Sequence, residues 1–420
     1  MIRSKHTFII GLIAGLSFCT LAAQRAPGGW LAEAWKDSSY KKIQAQADFR
    51  ARHPLTIPWL NKWEFRTQTN DFNFKQQQYA LRFSASDPTE VIYRKRMESV
   101  DVNLYRHLSA DALHDALAAR YRLLVDYYWI DKQDSLYREQ QALQLKKKLY
   151  LESLFQHQLD AELKDLIQAY RKNEKIKHES AVVEDTRKKA HQQSKHIGSG
   201  VSIGLDGFHW IQPFQIRILL QNDPGPVPVS ASYARLLQNK TQAELESLRL
   251  KSDHWNLLEF LQARWRNNVN DELIKEKISL SAGIRLPFAG GKRRDQNMIV
   301  LEKMQIESEL ARSEDQYKLK TTTLRLELES LLDRLEEQQK QLTTFEGKFR
   351  QPALLSNPLV KPQDILLIDE TILDWKEEII RIEKDLMEKY VEYLVYTRII
   401  STPPYKNYLE STMEDLRIEE

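Results

Sequence analysis

Ile278-Ser279-Leu280-Ser281-Ala282-Gly283-Ile284-Arg285-Leu286-Pro287-Phe288-Ala289-Gly290-Gly291-Lys292-Arg293 changes period within sixteen positions. Up to Leu286 apolar and polar residues alternate, with Ile278, Leu280, Ala282, Ile284 and Leu286 on one side and Lys277, Ser279, Ser281 and Arg285 on the other. Period two is the mark of a strand. After Gly290-Gly291 the pattern becomes helical. Leu310, Tyr317, Leu324, Leu331 and Phe345 keep a spacing of seven or its multiple, with Leu328, Leu335 and Leu342 interleaved, which is a heptad seam. Over 292–345 that helix would extend about 80 Å.

Downstream, Gly347, Pro352 and Pro358 stop this helix, and Pro362 opens another at the position where proline is tolerated. Ile365, Ile368, Ile372, Trp375, Ile379, Ile382 and Leu386 step by threes and fours, while Leu366, Leu373, Ile380, Met387 and Leu394 form a second row. Such a wide stripe predicts contact with more than one neighbouring helix, as in a bundle or a closed wall of helices.

Upstream, the same order occurs earlier. Trp59, Trp63, Phe65, Thr67 and Thr69 alternate with Lys62, Glu64, Arg66 and Gln68, and Tyr79, Leu81 and Phe83 with Gln78, Arg82 and Ser84. In the second copy Leu261, Ala263 and Trp265 oppose Gln262, Arg264 and Arg266. Pro88 starts a charged helical segment reaching about Leu154, and another begins near Leu163, Leu166 and Tyr170, about 202 residues before Ile365, Ile368 and Ile372. Helical stretches at Leu31 to Arg52 and Val229 to Lys251 precede the strand pairs. The chain therefore divides into an N-terminal leader 1–23, a first repeat 24–196, a connecting segment 197–228, a second repeat 229–400 and a tail 401–420. Each repeat is helix, strand, strand, long helix, long helix.

Each strand is about ten residues, with aromatics near its ends, the pattern of a tilted strand crossing a bilayer in a closed barrel. A soluble sheet with one buried face is the alternative. Four strands cannot close a barrel, and an open edge in lipid leaves backbone groups unsatisfied, so spanning requires oligomerisation. On this reading Lys62, Arg66, Arg82, Arg264, Arg266 and Arg285 face a lumen. Trp59, Trp63, Tyr79, Phe83, Trp265 and Phe288 face lipid or its interface. Repeated around an oligomer, the basic set would give a lumen with a preference for anions.

Arg3 and Lys5 precede an apolar run from Phe8 to Leu21 that ends at Ala22 and Ala23, the layout of a secretory signal. The run is shorter than the roughly 20 residues of a spanning helix. Cys19, the only cysteine, lies inside it, and Phe18 stands where a lipoprotein signal carries a small residue. A mature chain without cysteine excludes disulfides, thiol catalysis and thiolate metal sites. The 62 Lys+Arg against 59 Asp+Glu leave a formal charge of +3, without the footprint of a nucleic-acid binder. Mean hydropathy of -0.56 excludes a helical membrane bundle. Only 13 Gly and 14 Pro argue against a turn-dense all-β chain. His107 and His114 lack metalloprotease spacing, and no phosphate loop, serine elbow or dinucleotide fingerprint occurs, so no enzyme and no cofactor or metal is expected.

The stretch 278–293, the run Gln363-Asp364-Ile365-Leu366-Leu367, and Tyr390 to Thr397 resemble the last strand, the Gly-Gly helix entry and the final long helix of the TolC family of outer-membrane factors. The resemblance covers nearly the whole chain after the leader and is carried by the order of elements. It implies a mainly α fold: a trimeric α-helical barrel continuous with a 12-stranded transmembrane β-barrel, four strands from each protomer. It further implies a passive exit duct for efflux or type I secretion in the outer membrane, with outer-membrane lipid, a periplasmic adaptor and an inner-membrane pump as partners. The periplasmic tips and adaptor contacts would lie at Phe155 to Asp160 and at Gln351, Pro352, Ser356, Asn357 and Pro358. These tips lack the Gly and Thr/Ser-Asp step frequent in the family. A periplasmic coiled-coil scaffold that never enters the membrane is the alternative from another class.

Overall fold

The computed structural model describes residues 24–54, 60–69, 77–85, 88–156, 163–197, 202–205, 207–222, 229–252, 258–266, 278–284, 292–351 and 359–416. In chain order the elements are β1 (Gln24–Arg25), α1 (Pro27–Ala32), α2 (Ser38–Arg52), β2 (Leu60–Thr69), β3 (Gln77–Ala85), α3 (Pro88–Gln156) and α4 (Leu163–Ile197). They are followed by β4 (Ser202–Ile203), α5 (Pro213–Gln221), α6 (Ala231–Ser252), β5 (Leu258–Arg266), β6 (Ile278–Ile284), α7 (Lys292–Phe349) and α8 (Pro362–Tyr396). Both prolines that the pattern placed at helix starts, Pro88 and Pro362, occupy the first position of their helices. The stretch expected as one helix from Leu31 to Arg52 is instead broken. A 3₁₀ turn, Glu33–Lys36, and Asp37 divide it, because Trp30, Leu31 and Ala34 turn inward and are fully buried.

Two compact units form. The first contains the described residues of Met1–Tyr40, Ala112–Pro228 and Lys318–Glu420. Its core joins Leu117, Tyr121 and Leu124 of α3, Val183 and Ala190 of α4, Leu324, Leu328, Leu332 and Leu335 of α7, and Ile379, Ile382, Leu386 and Tyr390 of α8. Each such leucine contributes about 1.5–3 kcal/mol relative to exposure. The second apolar row of α8 is also used: Leu373 packs with Leu136 and Leu143 of α3, flanked by Leu366 and Ile380. The wide stripe thus has two neighbours, as its width requires.

Residues 202–222 and 399–416 complete this unit. The β1 and β4 strands pair in parallel, and the Ile211 N–H donates to the Leu409 carbonyl at 2.9 Å. Leu409 is fully buried. The Tyr121 hydroxyl donates to the Lys406 carbonyl at 2.7 Å and accepts the Tyr408 N–H at 3.1 Å. Burial raises the Tyr121 phenol well above its ordinary range, so it remains a donor. Arg120, 1% exposed, donates to the carbonyls of Ala116 and Ile197 at 2.9 and 2.8 Å and lies against Trp30. Burial lowers its pKa, partly offset by Asp37 and Glu33.

The second unit contains the described residues of Lys41–Asp111 and Val229–Tyr317. Here α6 is tied to α3 by Gln238 to Asp101 (2.7 Å) and to α7 by Tyr233 to Glu314 (2.9 Å) and Lys240 to Glu307 (3.3 Å). The same unit holds a four-stranded antiparallel sheet of order β2-β3-β5-β6.

Candidate functional site

The sheet register decides which side chains share a face. Trp63 lies opposite Phe83, Phe83 opposite Leu261 and Leu261 opposite Ala282. The next row is Phe65, Leu81, Ala263 and Leu280, and the next Thr67, Tyr79, Trp265 and Ile278. A one-residue slip in any strand would have scattered these residues over both faces. Phe65, Tyr79 and Trp265 stack across three strands at centroid distances of 6.0 and 5.8 Å. This face is open: Trp63 is 70% and Leu280 83% exposed, and Phe65, Leu261, Trp265 and Ile278 are exposed beside them. A contiguous apolar surface of this kind marks contact with lipid or with a protein partner.

The opposite face is polar. Its rows are Glu64, Arg82, Gln262 and Ser281, then Arg66, Ala80, Arg264 and Ser279, then Gln68, Gln78 and Arg266. Lys62 and Arg66 are exposed and both pair with Glu64, the Arg66 contact at 2.6 Å. Arg82 is half-buried, its guanidinium 3.7 Å above the Phe260 ring. Phe260 lies over Gly283, where a Cβ would come within 2.8 Å of three ring carbons. Gly283 is thus glycine because the ring occupies the space of a side chain. Phe260 keeps the alternation of β5 and stands on the polar face with Gln262, Arg264 and Arg266, the apolar exception there; the pairing with β6 shifts just before it, between Leu258 and Phe260. The alternation Leu261, Ala263, Trp265 concealed it, and the adjacent apolar Phe260-Leu261 pair was the available signal.

Of the residues expected to line or flank the sheet, Lys62, Arg66, Arg82, Arg264 and Arg266 share one face and Trp63, Tyr79, Phe83 and Trp265 the other. Trp59, Arg285 and Phe288 lie outside the described residues. So do Asp160, Pro352, Ser356, Asn357 and Pro358 of the expected tips. Phe155 is exposed near the end of α3, and Gln351 is exposed just after α7, its amide donating to the Gly347 carbonyl at 2.9 Å.

Nearer the helix cores the structure adds a cluster that the pattern did not single out. Glu370 of α8 accepts from Lys147 of α3 at 2.7 Å, from Gln144 of α3 at 3.2 Å and from Lys172 of α4. Burial alone would raise this carboxyl, but the hydrogen bonds and charges of Lys147 and Lys172 outweigh it and hold it below the usual range. A cavity of about 370 Å³ adjoins it, lined by Gln144, Lys147, Asp165, Lys172, Asp364 and Glu370. Among the described residues no His/Asp/Glu group could hold a metal, and no helix is long and apolar enough to cross a membrane.

No protein-family model matches the chain, and no curated protein matches it in sequence. Solved structures do match in fold. The outer-membrane protein VceC of Vibrio cholerae superposes with a TM-score of 0.60 at 10% identity, over 88% of this chain and 95% of that one. The chain has the TolC-like outer-membrane channel fold. The outer-membrane channel MtrE of Neisseria gonorrhoeae, in its open state, gives 0.56 at 11% identity over 93% of this chain and 90% of that one. CusC, whose structures describe transmembrane channel formation, gives 0.56 at 10% identity over 89% and 92%. Long helices with one four-stranded antiparallel sheet in this chain thus agree with the mainly α fold that the resemblance implied.

Proposed function

We propose that the protein is an outer-membrane exit duct for efflux or type I secretion, a passive homotrimeric channel rather than an enzyme. The observation that carries this reading is the two-faced sheet, whose register puts an exposed aromatic face on one side and arginines on the other. The described sheet ends at β2 and β6. In lipid those edges need partners, and three copies would supply them in one 12-stranded barrel. The aromatic face would then meet outer-membrane lipid and the arginine face the lumen. The channel fold, shared over nine-tenths of the chain, supports the same assignment.

The leader 1–23 would direct export, and 24–196 and 229–400 would be the two repeats, joined through 197–228. The helices would extend into the periplasm of a Gram-negative bacterium, with the tips at Phe155 to Asp160 and Gln351 to Pro358 as gate and docking surface for an adaptor linked to an inner-membrane pump. The pump would supply the energy. Outer membranes washed with carbonate, followed by the mass of crosslinked, detergent-extracted protein, test the proposal. A carbonate-resistant species of about three protomer masses is expected. Release by carbonate as a monomer or dimer would favour the periplasmic scaffold.

A further inference from the structure

The basic residues of the polar sheet face are not equivalent, and their neighbours separate them. On β2, Glu64 pairs with both Lys62 and Arg66 and is also the cross-strand partner of Arg82. Lys62 and Arg66 therefore share one carboxylate, and Arg82 stands across the strand pair from it. Arg82 is further fixed against the wall, its guanidinium on the Phe260 ring that Gly283 accommodates. On β5 the situation differs. Arg264 lies between Ala80 of β3 and Ser279 of β6, and Arg266 lies opposite Gln78. Neither has a carboxylate across from it on either neighbouring strand among the described residues. Arg264 and Arg266 are successive positions of one face, so they repeat the same charge along the strand.

Resting on the reading of this sheet as a channel wall, we propose that Arg264 and Arg266 are the selectivity-determining residues of the barrel. They give it a preference for anionic solutes, such as carboxylate- or sulfonate-bearing compounds. Repeated threefold they form two adjacent rings of cationic side chains, and rings of like charge set which ions enter a pore. The Lys62–Glu64–Arg66 trio adds less, because its net charge is one where Arg264 and Arg266 together carry two.

The experiment is the reversal potential of the full-length protein in planar bilayers under a potassium chloride gradient, for wild type, R264Q/R266Q and the charge-neutral pair removal K62Q/E64Q. The wild type should pass chloride over potassium by about threefold, more at low salt, and R264Q/R266Q should lose at least about half of that preference. K62Q/E64Q should keep the wild-type ratio. Conducting channels in which R264Q/R266Q retains that ratio, or in which wild type prefers potassium, overturn the assignment while leaving the duct intact. Carbonate-resistant protein that never conducts overturns the duct itself, and the selectivity with it.

Discussion

Replacing Glu370 by glutamine removes a charge that ties α8 to both helices of the first hairpin while nearly preserving its shape. Glu370 receives two ammonium contacts, Lys147 at 2.7 Å and Lys172, and the Gln144 amide at 3.2 Å. Hydrogen bonds to charged groups contribute about 1.5–3 kcal/mol each. Both lysine side chains are about one-third exposed, at 30% and 37%, and the carboxylate regains hydration when released. The net loss should therefore be about 2 kcal/mol, or about 30-fold in the equilibrium for local opening. Hydrogen exchange read by mass spectrometry on detergent-solubilised protein measures it directly. Peptides covering 363–376 should exchange about 30-fold faster in E370Q, while the sheet peptides remain unchanged. A change of less than about twofold would refute the view that Glu370 pins α8 to the first hairpin.

Other consequences can be checked separately. Because the folded-state carboxyl of Glu370 is held below its ordinary value of 4.5, its contribution is complete above that pH and is lost as pH falls through the folded value; exchange protection of 363–376 should drop there in wild type, with no such step in E370Q. Tyr121→Phe removes the donor to Lys406 and the acceptor for Tyr408, at a cost of about 1–3 kcal/mol; limited proteolysis should cut 403–416 faster, with the core of α8 still protected. Gly283→Ala drives a methyl into the Phe260 ring and should cost about 1–3 kcal/mol; the yield of folded protein should fall, and Phe260→Ala should restore it in the double variant. Leu324→Ala opens a cavity at a fully buried position and should cost about 2–5 kcal/mol, seen as a lower thermal midpoint of the helical signal.

The parts of the fold that repeat were legible. Alternation in 60–69 and 278–284 fixes both the strand and the face of each residue, since parity alone decides which side a chain position takes. The prolines at 88 and 362 mark helix starts because their missing N–H would be unpaired there in any case. Less visible were features that depend on distant partners. Lys406 and Tyr408 meet Tyr121, almost 290 positions away, and no periodicity leads to Leu409, fully buried after Pro403-Pro404. Arg120 looks like one charge among many on α3, yet the Ile197 carbonyl and Trp30 bring it into the core. Glu64 was visible on the arginine face, but only its contacts show that it satisfies Lys62 and Arg66 together. Glu370 likewise resembled any carboxylate of a solvated helix face until Lys147 and Lys172 were seen to converge on it.

Single cysteines on the sheet test the membrane-spanning assignment most directly, since the one cysteine of the sequence, Cys19, lies in the leader. Positions 63, 65, 261 and 280 belong to the aromatic face, and 68, 78, 262 and 281 to the polar face. In intact outer membranes a charged, water-soluble maleimide should label the second set and leave the first unreactive, while a lipid-borne quencher reaches a fluorophore attached only to the first. Equal labelling of both sets by the aqueous reagent, with no quenching at either, would show that the sheet lies in water and that the chain does not form a channel wall.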